Sequence, residues 1–431
     1  MLKVAWLQHL QYILLYLLVF AIPFPFIYAN IALITFAFVW VLQVDIFILW
    51  NNLVKRKVFW AYILYFFLFA VSYFYSENKD QSTFDTQSKV FMLVMPVLVG
   101  AGISISTRQL ENIFLAFVLG ITVVALMSAG RAYTIWQDTG DINSFFYHNI
   151  VDWLNANAVY MALYTFFTIS LLLMYPWQKY FTGKGKYLKY LLTTIAIAFF
   201  ILLSARMLML LFVVFLMPLH LLNIFKTGFS RRRIVLAASV FAILIITALA
   251  TDNPVKNRFK DFFVKNSEVA FLDDYSNVME GDFNNFTLRL FLWRIGMDVV
   301  SDKPVNYIFG VGNGDAPSLL NSKMKEYGVR NIHEDLALRS PLYNANMHNM
   351  YLQSLLMVGF LGLLLLIIIT FYPYITYVQM PLKPWFYAFH ISTMFFMVQE
   401  SMLQTQAGLA YYTLFSSIYF NLYYSLKDVK K

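Results

Sequence analysis

Asn346-Met347-His348-Asn349-Met350-Tyr351-Leu352-Gln353 runs directly into an apolar stretch from Ser354 to Thr370. A histidine and several amides therefore stand where a loop enters a membrane span. Ionisable groups are costly in hydrocarbon, so their placement at its edge points to function. The segment before this span, Thr251 to Asn346, is the only long polar stretch of the chain. The chemistry is expected there.

Composition fixes the class. Of 431 residues, 60% are hydrophobic and 13% charged, whereas soluble domains lie nearer ~45–50% and ~25%. The chain reads as an all-α polytopic membrane protein. Its 43 Phe and 29 Tyr suit packed helices with aromatic belts at the interfaces. The absence of cysteine excludes disulfides, thiol catalysis and Cys-ligated metals. The net charge of +9 fits cytoplasmic loops of a membrane protein and does not argue for nucleic acid. Lys3 and the apolar run Leu10–Tyr28 lack a following small-residue cleavage site, so an uncleaved first span is expected.

Apolar runs long enough to cross a bilayer fall near 10–28, 31–50, 58–76, 88–104, 110–130, 155–176, 189–205, 206–225, 233–250, 347–371, 386–402 and 406–425, about twelve spans. The run from Tyr190 to Phe225 is too long for one crossing, and Ser204-Ala205-Arg206 is its polar interruption. A tight hairpin with Arg206 at its tip is expected there. Basic residues cluster at Lys55-Arg56-Lys57, Arg108, Lys179–Lys189, Lys226 with Arg231-Arg232-Arg233, Lys383 and the tail, while the short alternate connections hold Glu77, Asp80, Asp85, Asp138, Asp141 and Asp152. The positive-inside rule then puts both termini in the cytoplasm and 251–346 outside it. Three regions follow: spans 1–9 in residues 1–250, a loop outside the cytoplasm with short helices over 251–346, and spans 10–12 in 347–431.

The loop carries Arg258, Arg289, Arg294, Arg330 and Arg339 among other basic residues, and the planar guanidinium fork suits phosphate oxygens. Asn285 to Val300 reads as an amphipathic helix, with Arg289 and Trp293 four apart on one face and an apolar side suited to the membrane surface. Gly310, Gly312 and Gly314 alternate through Phe309-Gly310-Val311-Gly312-Asn313-Gly314-Asp315, permitting a tight turn and close backbone approach to a ligand. Taken singly, Arg289 is an ordinary surface helix residue, His348 is as readily a helix cap as a base, and Arg206 is either a snorkelling side chain or an anion contact. Glu400 and Gln404 either pack against the loop or form a solvated turn. Consecutive His333-Glu334-Asp335 cannot converge on one ion, and no metal site or cofactor is expected. His148, His220 and His390 read as structural, and the Arg231 triplet as a topology signal.

Read as an ordered set, Ser204-Ala205-Arg206, Arg289-Leu290-Phe291-Leu292-Trp293, the glycine segment 309–315, His348-Asn349-Met350-Tyr351-Leu352-Gln353 and Gly359-Phe360-Leu361-Gly362 resemble the O-antigen ligase and polymerase superfamily over roughly 190–370. The chain departs from the family pattern in carrying Met357-Val358 before Gly359, where an acid is common. The resemblance implies a GT-C-like fold in the bacterial inner membrane. It implies inverting, metal-independent transfer of a glycan from undecaprenyl diphosphate on the periplasmic face. The acceptor is a lipid A-core sugar in a ligase and a lipid-linked glycan in a polymerase. Arg206 and Arg289 would face the diphosphate, and His348 would be the base. Arg258, Trp293, Asn349, Tyr351 and Gln353 would bind substrate. If Asn346 caps the tenth span, His348 falls in its first turn, where the positive helix end disfavours imidazolium. The rival readings are a lipid-linked glycan flippase or transporter, which needs charges along a midplane path, and a non-catalytic assembly protein.

Overall fold

A computed structural model describes residues 5–226, 267–278, 282–329, 343, 345–377 and 384–429. Among these residues the fold is entirely helical. The chain divides into two compact units. One comprises Met1–Val44, Ile105–Lys260 and Pro381–Thr393, the other Asp45–Ser104, Asp261–Met380 and Met394–Lys431.

Four helices are long and apolar enough to cross a membrane: Val58–Tyr75, Thr107–Thr139, Gly185–Leu203 and Met350–Thr376. The number rises to six when each of two bent pairs counts as one span, and Ala5–Ala21 and Arg206–Leu222 are shorter apolar helices. The protein is therefore multi-pass. The span expected at 233–250 lies outside the described residues. Several other expected spans are interrupted, two of them early in the chain. Within 31–50, Asp45 accepts from the Phe47 and Ile48 backbone N–H groups and starts a new helix, Ile46–Lys55, so an acid inside an apolar run acts as an N-cap. Within 88–104, the helix Val90–Met95 passes into a π-helical turn, Pro96–Ala101. Proline has no N–H to continue the ladder. The loosened carbonyls of Val99 and Gly100, with that of Ile103, accept from the buried Asn421 side chain at 3.0, 3.1 and 2.7 Å.

In the first unit, Phe114, Phe117, Phe167 and Phe389 form the centre of the core. The expected break after Leu203 is present. Ser204 adopts a left-handed conformation with φ 48°, and Arg206 opens the next helix.

The second unit is organised around the segment Met350–Tyr377, which is not one regular helix. Gly359 interrupts it with φ 71° and ψ −166°, a region that essentially only glycine occupies. The glycine-rich segment docks here, backbone against backbone. Val311 N–H donates to Leu356 O at 2.8 Å and Gly312 N–H to Met357 O at 3.1 Å. A Cβ on Gly310 would collide with the Met357 backbone, one on Gly312 with the Ser76 hydroxyl, and one on Gly314 with Asn78 O. The glycines thus serve close approach, as their spacing permits, and the partner they approach is the protein's own chain. Asn313, with no exposed surface, donates to Thr86 Oγ1 at 3.0 Å and accepts from the Ser82 hydroxyl. Asp315 accepts from the Glu77 and Asn78 N–H groups, both at 2.8 Å.

Gly359→Ala should therefore lower the thermal unfolding temperature of detergent-solubilised protein sharply. The backbone conformation alone costs about 1–3 kcal/mol for a non-glycine residue, and the new Cβ would strike Ile308 O. Gly130→Ala, which meets nothing within 4 Å, should leave the temperature unchanged or raise it. Equal behaviour of the two variants would refute this account of the break.

Candidate functional site

The helix Asn285–Ser301 begins with a reciprocal cap. Asn284 Oδ1 accepts from the Phe286 and Thr287 N–H groups, and the Thr287 hydroxyl accepts from Asn284 N–H. Its apolar side does not lie on a membrane surface as the pattern suggested. Phe291, Leu292, Ile295, Val299 and Val300 are buried, because the helix packs on Ala316–Glu326 and on Met350–Tyr377 within the same unit. Gly296 leaves room for the Met347 side chain.

This packing turns Arg289 and Trp293 toward the His348 segment. Trp293 Nε1–H donates to Met347 O at 2.8 Å, and Met347 N–H donates to Gln353 Oε1 at 2.9 Å. Trp293 and Gln353 thus fix the backbone just before His348. Asn346 Oδ1 accepts from His348 N–H at 2.9 Å. The helix cap is not Asn346 but Asn349, whose Oδ1 accepts from the Tyr351 and Leu352 N–H groups at 3.0 and 3.1 Å. Tyr351 is the second residue of that helix. His348 therefore precedes the cap, in a left-handed conformation with φ 44°. His348 is thus outside the first turn, contrary to expectation, and the field of a helix terminus acts within its first turn.

A carboxylate acts on the ring instead. The helix Pro384–Gln399 ends before Glu400, short of the boundary expected at 402, and the turn that follows aims Glu400 back. Glu400 Oε2 lies 2.9 Å from His348 Nδ1, and Oε1 accepts from Arg289 Nη2 at 2.7 Å. An ionised carboxylate only accepts, so His348 Nδ1–H is the donor of this bond, and in the neutral tautomer Nε2 is then the nitrogen that carries the lone pair. Glu400 is mostly buried, which opposes its ionisation. The hydrogen bond and charge of His348, together with the charge and hydrogen bond of Arg289, outweigh burial and hold its pKa below the ordinary carboxylate value. The His348 side chain remains 32% exposed, enough for a substrate to reach the ring.

Arg289 is no ordinary surface residue. Nε donates to Gln399 O at 3.0 Å and Nη1 to Asn285 O at 2.8 Å. With the Glu400 contact, these bonds among the described residues use three of the five N–H groups a guanidinium carries. Among the described residues, one N–H on each terminal nitrogen makes no such bond and can meet an anion. The structure thus brings together Arg289, Trp293, His348 and Gln353 and adds Glu400, with Asn349 as the helix cap. Arg206 opens a helix of the first unit. Arg258 and the His333-Glu334-Asp335 segment lie outside the described residues.

Residues 191–367 match the family described as O-antigen ligase. The match supports a similarity of this segment to the O-antigen ligase and polymerase superfamily. Arg206, Arg289 and His348 fall inside the matched segment, and Glu400 lies beyond it. No curated protein matches the chain.

Proposed function

We propose that the protein is an O-antigen ligase. It moves a glycan from undecaprenyl diphosphate to a sugar hydroxyl of the lipid A core, inverting and without a metal, at the periplasmic face of the bacterial inner membrane. The reading includes about twelve spans, both termini in the cytoplasm and a periplasmic loop over 251–346. The observation that carries it is the arrangement His348–Glu400–Arg289, a base whose orientation is set by a carboxylate, beside a guanidinium with two N–H groups that no bond among the described residues uses.

The chemistry follows from those atoms. A sugar hydroxyl is a weak nucleophile until its proton is removed, and a neutral imidazole nitrogen within reach can take it. His348 Nε2 accepts that proton as the hydroxyl oxygen forms a bond to the anomeric carbon. The bond from that carbon to the diphosphate oxygen breaks on the opposite face, and its electron pair leaves with the diphosphate. Glu400 stabilises the imidazolium that forms. Arg289 offers its remaining N–H groups to the leaving oxygens, where charge develops. For Arg206 and Arg258, assignment to the diphosphate rests on the family resemblance, as does a substrate role for Trp293, Asn349, Tyr351 and Gln353.

Deletion of the gene in a lipopolysaccharide-producing host tests the acceptor. Core with no attached repeats is the expected result, and core carrying a single repeat would make the protein a polymerase. The purified enzyme should transfer glycan undiminished in EDTA. Activity lost to EDTA and restored by one divalent ion would end the metal-independent reading.

A further inference from the structure

Lys89 has no exposed surface, and the proposed reaction gives it no task. Lysine is almost never fully buried unless paired. If this position only needed filling, an apolar side chain would do so without desolvating a charge. Lys89 joins the helices Lys79–Ser88 and Val90–Met95. Its ammonium lies 4.9 Å over the Phe69 ring, and the buried Asp85 carboxylate attracts it. Nζ donates to Gln404 Oε1 at 3.1 Å.

That last bond reaches the candidate site. An ammonium can only donate, so Lys89 dictates which end of the Gln404 amide faces it. The other end, Nε2, donates to Met357 Sδ at 3.0 Å, beside the Gly359 break. Gln404 closes the 3₁₀ turn Met402–Gln404, which starts two residues after Glu400. Within it, Met402 N–H donates to Glu400 O at 2.7 Å and Gln404 N–H to Ser401 O at 2.8 Å. Leu403 N–H donates to Met350 Sδ at 3.2 Å. The turn that follows Glu400 is thus pinned at Leu403 and Gln404 to the helix that follows His348, and at Gln404 to a buried cation as well.

We propose that Lys89 is a positioning residue for the His348–Glu400 pair: through Gln404 it fixes the turn that aims the Glu400 carboxylate at the histidine ring. This rests on the reading of His348 as the base. Lys89 touches no reacting atom and acts only through the turn.

The test is steady-state transfer by the full-length enzyme, with undecaprenyl-diphosphate-linked glycan as donor and lipid A-core as acceptor. It uses Lys89→Met, Glu400→Gln and the double variant. Outer partners of metal-ligating histidines are worth about 10–100-fold; on the same scale, Lys89→Met should lower kcat by about 10–100-fold with donor KM nearly unchanged. In the Glu400→Gln background it should cost almost nothing further, because both changes break one pathway. Gln404→Met cuts the same link while keeping the cation and its Asp85 partner and should reproduce the loss, which covers the case in which Lys89→Met fails to fold. Equal losses in both backgrounds, a rise in KM in place of the fall in kcat, or wild-type kcat in Gln404→Met would overturn the proposal. Should His348→Asn itself keep full transfer, the base reading fails first and this one with it. An inactive His348→Asn beside a fully active Gln404→Met removes the positioning role alone.

Discussion

His348→Ala is expected to lower glycan transfer by about 10²–10⁴-fold, the usual worth of a positioned general base, while leaving binding of the lipid-linked donor nearly intact. The donor's diphosphate is assigned to guanidinium groups, and the imidazole acts on the acceptor. One complication is local: His348 stands at φ 44°, where a plain L side chain is strained. Asparagine visits that region more readily than most residues and has no titratable nitrogen. His348→Asn should therefore fold at least as well as His348→Ala and transfer no faster. Arg289→Ala should weaken donor binding as well as rate, because it removes the two N–H groups left for an anion. The decisive comparison measures donor binding and transfer separately on variants that insert normally. If His348→Ala loses donor binding as completely as Arg289→Ala does, the histidine is a binding or structural residue. Near-normal transfer by His348→Ala, His348→Asn and Arg289→Ala alike would return the flippase and assembly-protein readings.

What could be read from the sequence follows the range of the forces involved. His348 stood out because polar groups at a membrane edge are rare and costly, a signal carried by the residue and its neighbours, whereas Arg289, an ordinary surface residue taken singly, stood out only within the ordered set of motifs. Glu400 carried no such signal. Its contact with His348 spans 52 residues of chain, and only the fold of the second unit brings the two together, so pattern reading left it open between a packed residue and a solvated turn. Capping failed at short range for a different reason. Asn346 and Asn349 are both good N-caps by residue type, and the choice between them depends on where the helix is anchored, which Trp293 and Gln353 decide through Met347. The alternating glycines announced close approach without naming the partner, since a glycine admits a ligand or a backbone equally. Asp45 inside an apolar run is the converse case, a single side chain that ends one helix and begins another.

Glu400→Gln is expected to lower kcat by about 10²-fold or more, with little change in donor KM, although the substitution preserves shape. A carboxylate accepts at both oxygens, which is what His348 Nδ1–H and Arg289 Nη2–H require. An amide accepts at one end and donates at the other. If its oxygen stays on Arg289, its N–H faces His348 Nδ1, and the ring keeps that bond only by moving its proton to Nε2, the nitrogen that must be vacant. An orienting carboxylate replaced by its amide costs a serine protease about 10⁴-fold in the same way. If the amide turns over, two N–H groups meet at Arg289 and the guanidinium loses its partner. Stability should respond with a definite sign. The Glu400 pKa is held below its ordinary value, so its ionisation stabilises the fold at any pH above the unfolded carboxylate value of about 4.3. That contribution disappears as pH falls through the lower folded value. Wild type should therefore unfold at a higher temperature than Glu400→Gln near neutrality, and the gap should close in acid. A gap that widens in acid would mean that the carboxylate is not held ionised by His348 and Arg289. Wild-type kcat in Glu400→Gln would show that the histidine needs no orienting partner, and the three-residue arrangement would then reduce to a surface ion pair beside an independent base.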